Sequence, residues 1–289
     1  MASLREIKER IGSVGSTLKT TSAMKMVASA KFHRIQGISS ALMAYQKSLS
    51  ETMGVLCADT SVKLVSPFIE SKPECKRVIV VALSSDTSLC GAFNSQIIKA
   101  ADVAVSALKK EGVEHISIWP VGEKMAAAVN KWGYEVCNDF RNISKQRGSE
   151  QAARIADRLM EEYSSGRADK IYVVYNHFHS MGRQEPVESL FLPFDVSAIG
   201  VEDGKYAQEY ICEPSKGEIF EQLLPYMLRC RMYALLLNSS TAEFAARTVA
   251  MQTASDNAQE LLDELKLGYN KRRQQAITEE LADIANSQQ

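Results

Sequence analysis

Residues 3–56, SLREIKERIGSVGSTLKTTSAMKMVASAKFHRIQGISSALMAYQKSLSETMGVL, decide how this chain is read. The stretch contains no proline, and Ser3 is followed three residues later by Glu6. That pair is the pattern of a capping box, in which hydroxyl and carboxylate reciprocally satisfy the first free N–H groups of a helix. Leu4, Ile7, Ile11, Val14 and Leu18 then follow a 3-4-3-4 spacing, which lays one apolar stripe along a helix. The same spacing returns at Ile35, Ile38, Leu42, Tyr45, Leu49, Thr52 and Leu56. Leu18 and Ile35 are seventeen residues apart. The two runs together predict one three-residue phase shift, a stammer where a coiled coil would be overwound. Unbroken, this helix would be about 80 Å long.

The other end has the same character. All seven prolines lie between residues 67 and 225, so residues 226–289 are also proline-free. A helix over residues 216–285 would be about 105 Å long. A single globule of 289 residues is far smaller than either length. Such helices must bury their stripes against each other or against partners. The expected arrangement is a shaft with a globular knob.

Within the second helix, Ser239–Ala258 is unusual because twelve of its twenty residues are Ala, Ser or Thr. Ser and Thr are not favoured in mid-helix. Their use here predicts close approach of another helix. Beyond it, Ile277, Leu281 and Ile284 form a short apolar stripe after the basic run Lys271-Arg272-Arg273.

Between the ends the pattern alternates. Around residues 58–76 the periodicity stops, and Pro67 and Pro73 mark a linker. Arg77–Leu83 (RVIVVAL) reads as a buried strand, Asn94–Lys110 as an amphipathic helix and His115–Val121 as a second strand. A short helix over Gly122–Trp132, a strand within Tyr134–Phe140 and a helix over Ser149–Ser164 follow. Lys170–Asn176 (KIYVVYN) is a third strong strand, and Val187–Pro193 and Tyr206–Cys212 read as later ones, antiparallel at an edge or projecting as a hairpin. The order predicts an α/β domain with a Rossmann-like, open and mostly parallel sheet.

Such a sheet invites a nucleotide, but the loop after the first strand, Ser84-Ser85-Asp86-Thr87-Ser88-Leu89-Cys90-Gly91, has neither a G-x-G-x-x-G nor a P-loop signature. Cys90 beside Gly91 has no local Cys/His signature to make it a nucleophile. His177 and His179 would share a strand face, yet no nearby Asp or Cys completes a metal shell, and a solvated strand end is the plainer reading. There is no G-x-S-x-G and no H-E-x-x-H. No catalytic residue, cofactor or metal is expected.

Composition agrees with a globular chain: apolar residues make up 45% and charged residues 24%. The net charge of −1 gives no bulk attraction to nucleic acid or lipid. Locally, residues 1–34 carry seven Lys or Arg against Glu6 and Glu9. The six cysteines show no metal spacing, and Cys57, Cys90 and Cys230 read as buried free thiols of a reducing compartment. No segment is long and apolar enough to span a membrane, and no leader is evident, so the expected location is cytosolic.

The two ends also match something specific. Ile7-Lys8, Arg10-Ile11, Ser13-Val14, Lys19, Ala23-Met24-Lys25-Met26-Val27-Ala28 and Lys31 resemble the opening of the gamma subunit of rotary F-type ATP synthases. Ala245-Ala246-Arg247, Ala250-Met251, Ala254, Asp256-Asn257-Ala258, Leu265, Tyr269-Asn270, Arg273-Gln274, Ala276-Ile277-Thr278 and Glu280 resemble its close. Ser85-Asp86, Leu89-Cys90-Gly91-Ala92-Phe93-Asn94, Tyr175-Asn176, Glu213-Pro214 and Leu223-Leu224-Pro225 fall between in the same order. The chain departs from that family at Thr87-Ser88, usually a basic residue and Gly, at Thr241-Ala242-Glu243, at Thr248 and in its polar last residues. The regulatory insert with paired cysteines of the chloroplast form is absent, so no redox switch is implied.

The resemblance implies the bacterial-type central stalk. Residues 1–57 and 215–289 would be an antiparallel coiled-coil shaft, residues 58–76 a linker and residues 77–214 the α/β domain at its foot. The shaft would turn inside the alpha/beta hexamer, coupling proton or sodium flow through the c ring to ATP synthesis or hydrolysis on beta. The chain itself would be non-catalytic. Met24, Lys25, Arg247, Arg273, Gln274 and Thr278 would face the hexamer, including acidic loops of beta. Tyr210 and Glu213 would face epsilon and the polar loops of the c ring. The location would be peripheral, at the cytoplasmic face of the bacterial inner membrane. The competing reading is a small-molecule-binding α/β enzyme with helical arms.

Overall fold

A computed structural model of the chain describes residues 3–57, 65–70, 72, 75–137, 140–141, 148–196, 199 and 211–287. It holds five helices and five strands among these residues, in the order α1 (Leu4–Cys57), β1 (Arg77–Leu83), α2 (Phe93–Lys110), β2 (His115–Val121), α3 (Glu123–Val129), β3 (Glu135–Val136), α4 (Ser149–Ser164), β4 (Lys170–Ser180), β5 (Arg183–Leu192) and α5 (Lys216–Ser287). Two compact units result, Met1–Ala30 with Arg247–Gln289, and Lys31–Ala246, so each long helix contributes to both.

Both long helices are capped as their sequences require. The Ser3 amide donates to Glu6 Oε2 at 2.9 Å, and the Glu6 amide donates to Ser3 Oγ at 3.2 Å. An unforeseen second box opens α5, where the Glu218 amide donates to Ser215 Oγ at 3.3 Å and that hydroxyl donates to Glu218 Oε1 at 3.1 Å. Pro225 lies inside α5 and removes one i→i−4 bond, yet the helix continues through it.

The seam of α1 differs from the sequence expectation. Buried and half-buried positions run Leu4, Ile7, Ile11, Val14, Leu18, Thr21, Lys25 and Ala28 in the first unit. In the second they run Phe32, Ile35, Ser39, Leu42, Gln46, Leu49, Met53 and Leu56. The 3-4 alternation never slips, and there is no stammer. Ile38 and Tyr45, expected inside, are 38% and 46% exposed, and Thr52 is also exposed. Seventeen residues are two heptads plus one three-residue step, so Ile35 is in phase with Leu18. Thr21, Lys25 and Ala28, polar or small, fill three of the four intervening positions, so a count of apolar residues passes over the link that Phe32 completes.

Within the first unit α5 presents the matching row Thr248, Met251, Ser255, Ala258, Leu262, Leu265, Tyr269, Arg272 and Ala276. Ser255 Oγ donates to Thr21 Oγ1 at 2.8 Å and lies 3.5 Å from Ser22 Oγ. Small hydroxyl residues thus form the contact between helices that the Ser239–Ala258 composition predicts. Within the second unit the helices are antiparallel: Lys31 lies over the Phe244 ring at 5.5 Å, and Gln46 Nε2 donates to Cys230 O at 3.3 Å. Advancing along α1 between these pairs means retreating along α5.

The α/β expectation is met by a five-stranded sheet in the order β3-β2-β1-β4-β5. β1 pairs in parallel with β2 and β4, β2 with β3, and only the edge strand β5 is antiparallel, to β4. Alternate strand residues face two cores, as the two-residue period dictates. Val78, Val80, Ala82, Ile116, Ile118 and Val174 meet α2 and α3. Ile79, Val81, Leu83, Ile171 and Val173 meet α4, the start of α5 and the end of α1, where Met53, Phe220, Leu224, Leu228 and Met232 are fully buried. Pro186 and the charges of Arg183, Glu185 and Glu188 blunt β5 as an edge.

The expected Val187–Pro193 strand lies largely within β5. Of the expected Tyr206–Cys212 strand, residues 206–210 lie outside the described residues, and Ile211 and Cys212 are not in a strand. Most of the expected linker is also outside the described residues. Its described part is tied down by Asp169, whose carboxylate accepts from the amides of Lys76 and Arg77 at 3.1 and 2.9 Å and from Lys72 Nζ at 3.2 Å.

Candidate functional site

Two regions hold the residues that sequence analysis singled out. In the first unit, Met24 and Lys25 are half-buried, and Lys25 occupies a seam position. Arg247 is only 7% exposed, despite its charge. Arg273, Gln274 and Thr278 are exposed, and Thr278 Oγ1 donates back to Gln274 O at 2.9 Å. Arg272, one residue away, lies half-buried on the seam row, so the basic run Lys271-Arg272-Arg273 is split between seam and surface. Lys8, Arg10 and Lys19 are exposed, whereas Arg5 makes a surface ion pair with Glu9 at 3.2 Å. Ile277, Leu281 and Ile284 form an exposed apolar row near the end of α5.

In the second unit, the loop between β1 and α2 lies where strand order reverses, since β2 and β4 flank β1. Ligands of open α/β sheets bind outside the carboxyl ends of strands at this point. Here the position is filled from within. Cys90 and Phe93 pack against Ala242 of α5, with Phe178 and Ala246 alongside. Asn94 locks the loop: its Oδ1 accepts from the Ser85 amide at 3.1 Å, and its Nδ2 donates to Ser85 Oγ at 2.8 Å. Asn176 Nδ2 donates to Phe93 O at 3.1 Å. Ser84 Oγ accepts from the Met125 amide at 2.9 Å, next to Gly122, whose φ of +105° and lack of Cβ admit the Ser84 carbonyl. Leu89, with φ of +68° and 58% exposed, is the loop's one outward apolar side chain in a left-handed conformation. These contacts tie the loop to α2, α3 and β4 from within.

His177 and His179 share a face of β4, with ring centroids 4.7 Å apart. His179 Nε2 lies 3.3 Å from Glu185 Oε2. The Asn238 amide engages the first of these rings. Its Oδ1 accepts from the Phe178 amide at 2.7 Å, which turns Nδ2 toward His177 Nδ1 at 3.1 Å. Nδ2 can only donate, so Nδ1 accepts and the ring proton sits on Nε2. No group of three or more His, Cys, Asp or Glu among the described residues could hold a metal. The six cysteines form no disulfide among the described residues, and burial raises the thiol pKa of Cys57, Cys75 and Cys230, so these are poor nucleophiles.

Glu213, expected at the foot, is exposed just before Ser215 and the start of α5. Tyr210 lies outside the described residues. Sequence reasoning missed Phe32, whose ring lies 5.6 Å from Phe178 and fixes α1 on the sheet within this unit. Extending the first seam by whole heptads would have found it. Arg231 was also missed: it donates to Leu190 O at 2.7 Å and lies 5.8 Å from the centres of both the Phe191 and Phe194 rings.

Comparison with known proteins accounts for both regions together. Residues 3–289 match the family described as ATP synthase. The ATP synthase gamma chain of Bacteroides thetaiotaomicron is 43% identical over 295 residues, covering 98% of each chain. Among solved structures, the fold is similar to a chain of the Euglena gracilis mitochondrial ATP synthase OSCP/F1/c-ring assembly, with a TM-score of 0.60 and 20% identity over 98% of this chain and 93% of that one. It is also similar to a chain of the Tetrahymena thermophila mitochondrial ATP synthase central stalk and c ring, with a TM-score of 0.56 and 24% identity over 82% of this chain and 99% of that one. Near-complete coverage at this identity leaves no part of the chain unassigned: it belongs to the ATP synthase gamma-chain family.

Proposed function

We propose that the chain is the rotor that carries torque between a membrane ion ring and the alpha/beta hexamer, and that it holds no catalytic site of its own. The observation that carries this reading is the unbroken 3-4 seam of α1, matched by the α5 row from Thr248 to Ala276. A pair of long helices locked along one seam resists twisting and bending, which a shaft needs and a ligand-binding arm does not. The shaft is residues 1–57 and 215–289, and residues 77–214 are the foot joined through 58–76.

The exposed side chains divide the tasks. Lys8, Arg10 and Lys19 on α1 and Arg273 on α5 offer positive charge to acidic loops of beta, aiding orientation by long-range attraction. Gln274 and Thr278 add short polar contacts, half-buried Met24 and Lys25 border the surface on α1, and buried Arg247 shapes the shaft from beneath. The exposed row of Ile277, Leu281 and Ile284 turns in an apolar sleeve, where no directional bond has to break at each step. At the foot, Glu213 and Tyr210 meet epsilon and the polar loops of the c ring. No helix among the described residues is long and apolar enough to cross a membrane. The chain works as a peripheral subunit, on the cytoplasmic face of the inner membrane.

The test is reconstitution. Added to an alpha/beta hexamer, the chain should co-purify at one copy per three beta chains, and without partners it should neither bind ATP at micromolar concentrations nor hydrolyse it. Tight ATP binding by the isolated chain in calorimetry would favour the α/β enzyme reading instead.

A further inference from the structure

β4 outruns its neighbour. Its parallel pairing with β1 ends at Val174, opposite Ala82, and the strand continues to Ser180 paired only with β5. The β4–β5 register also slips between Phe178 and Ser180. The Phe178 amide is therefore served by a side chain, Asn238 Oδ1 of α5 at 2.7 Å. Asn238 completes its amide by donating Nδ2 to His177 Nδ1 at 3.1 Å. One asparagine thus holds two consecutive residues of the strand end, and it can do so only while Nδ1 of His177 is unprotonated.

We propose that His177, Phe178 and Asn238 form a pH-sensitive clasp that holds the end of β4 on α5 at neutral pH and opens when His177 takes up a proton. A proton on Nδ1 sets two donors, Nδ1–H and Nδ2–H, against each other. Rotating the Asn238 amide would relieve this, but it would turn Nδ2 toward the Phe178 N–H and produce the same conflict there. Neither protonated arrangement satisfies all three groups.

The surroundings favour the unprotonated ring on balance. Burial lowers the His177 pKa, His179 on the same strand lowers it further, and Glu185 across the hairpin opposes both. Glu185 is itself engaged by His179 at 3.3 Å and by Arg183 at 3.2 Å. Tyr175, on the same strand, lies 6.2 Å ring to ring from His177. From α1, Phe32 packs on Phe178, and its neighbours Lys31, His33 and Arg34 add no carboxylate. From α5, Ala234, Leu235, Thr241 and Ala242, the residues three and four positions from Asn238, carry no charge. With a folded pKa below the unfolded value, the clasp stabilises fully above the unfolded pKa and is lost as pH falls through the folded one.

The full chain contains only four histidines, so selective imidazole labelling resolves each by NMR. His177 should be the Nε2–H tautomer at pH 7.5 and titrate below the ordinary imidazole value. Protection of the Phe178 amide, corrected for intrinsic exchange, should fall through the His177 midpoint by about tenfold for each pKa unit separating the closed and open states. Asn238→Asp supplies an acceptor to both groups, so it should raise the His177 proton affinity more than tenfold and abolish the fall in protection. An Nδ1–H tautomer at pH 7.5, or Phe178 protection that ignores the His177 titration, would overturn the clasp. Should the Asn238→Asp variant fail to fold, tautomer and protection in the unmodified chain still decide it.

Discussion

Met53→Ala and Ile38→Ala, compared in the same full-length chain, test the phase of the α1 seam. Counting apolar residues alone would put Ile38 inside and leave position 53 outside. In the structure, Met53 is 0% exposed among Leu56, Phe220, Leu224 and Leu228, whereas Ile38 is 38% exposed. Truncating a fully buried Met removes three heavy atoms and leaves a cavity, at a cost of about 2–5 kcal/mol. Truncating Ile38 removes partly solvated surface, about 1 kcal/mol or less, offset by about 0.4 kcal/mol because Ala is the better helix former. At about 2–4 °C per kcal/mol for a unit of this size, Met53→Ala should lower the melting temperature by about 4–20 °C and Ile38→Ala by no more than about 2 °C. Differential scanning calorimetry reads both. Equal shifts, or a larger one for Ile38→Ala, would refute the continuous seam.

Four further outcomes follow from other residues. Gly122→Ala puts a Cβ 2.5 Å from Ser84 O at a φ of +105°, and should cost about 2–4 kcal/mol in urea unfolding, from strain plus overpacking. Burial raises the pKa of Asp169, but the amides of Arg77 and Lys76 and the Lys72 ammonium outweigh it and hold the carboxyl below its ordinary value. Its stabilisation is thus present above about pH 4 and lost as pH falls through the lower folded pKa, so Asp169→Asn should flatten the acid limb of a stability-versus-pH curve. Arg273→Lys keeps the charge and loses the planar fork, and one charge-assisted bond of about 1.5–3 kcal/mol should show as a clear fall in ATP synthesis by reconstituted vesicles. Lys271→Arg, an exposed neighbour off the seam, should leave synthesis unchanged. Glu213→Lys should weaken ATP-driven ion pumping while hydrolysis by the soluble assembly stays near normal, as measured by parallel fluorescence-quench and phosphate-release assays.

Helix α4 and the strands at residues 77 and 115 could be bounded from sequence because their apolar periods run unbroken between turn residues. The seam of α1 could be seen but not phased. Thr21, Lys25, Ser39 and Gln46 fill core positions with polar or amphipathic side chains, and the apolar residues beside them, Ile38 and Tyr45, face out. The apolar run of β4 stops at Asn176, and the polar His177 and His179 beyond it mark only a solvated strand end; pairing with β5 carries the strand to Ser180. The candidate site divides in the same way. Specific motifs placed Arg273 and Gln274 on α5, but only packing separates a surface Arg273 from a seam Arg272. No local pattern announces that Asn238, sixty residues along the chain from Phe178, satisfies its amide.

The regular α1 repeat has an elastic consequence. A phase slip in a coiled coil is a soft spot, because local winding changes there at little cost. Without one, an applied twist has no preferred place to collect and must be shared among all the heptads in small angles. Strain then returns gradually and not from a single yielding turn. Inserting three residues into α1 would create such a turn, turning a uniformly springy rod into one that gives at a chosen point.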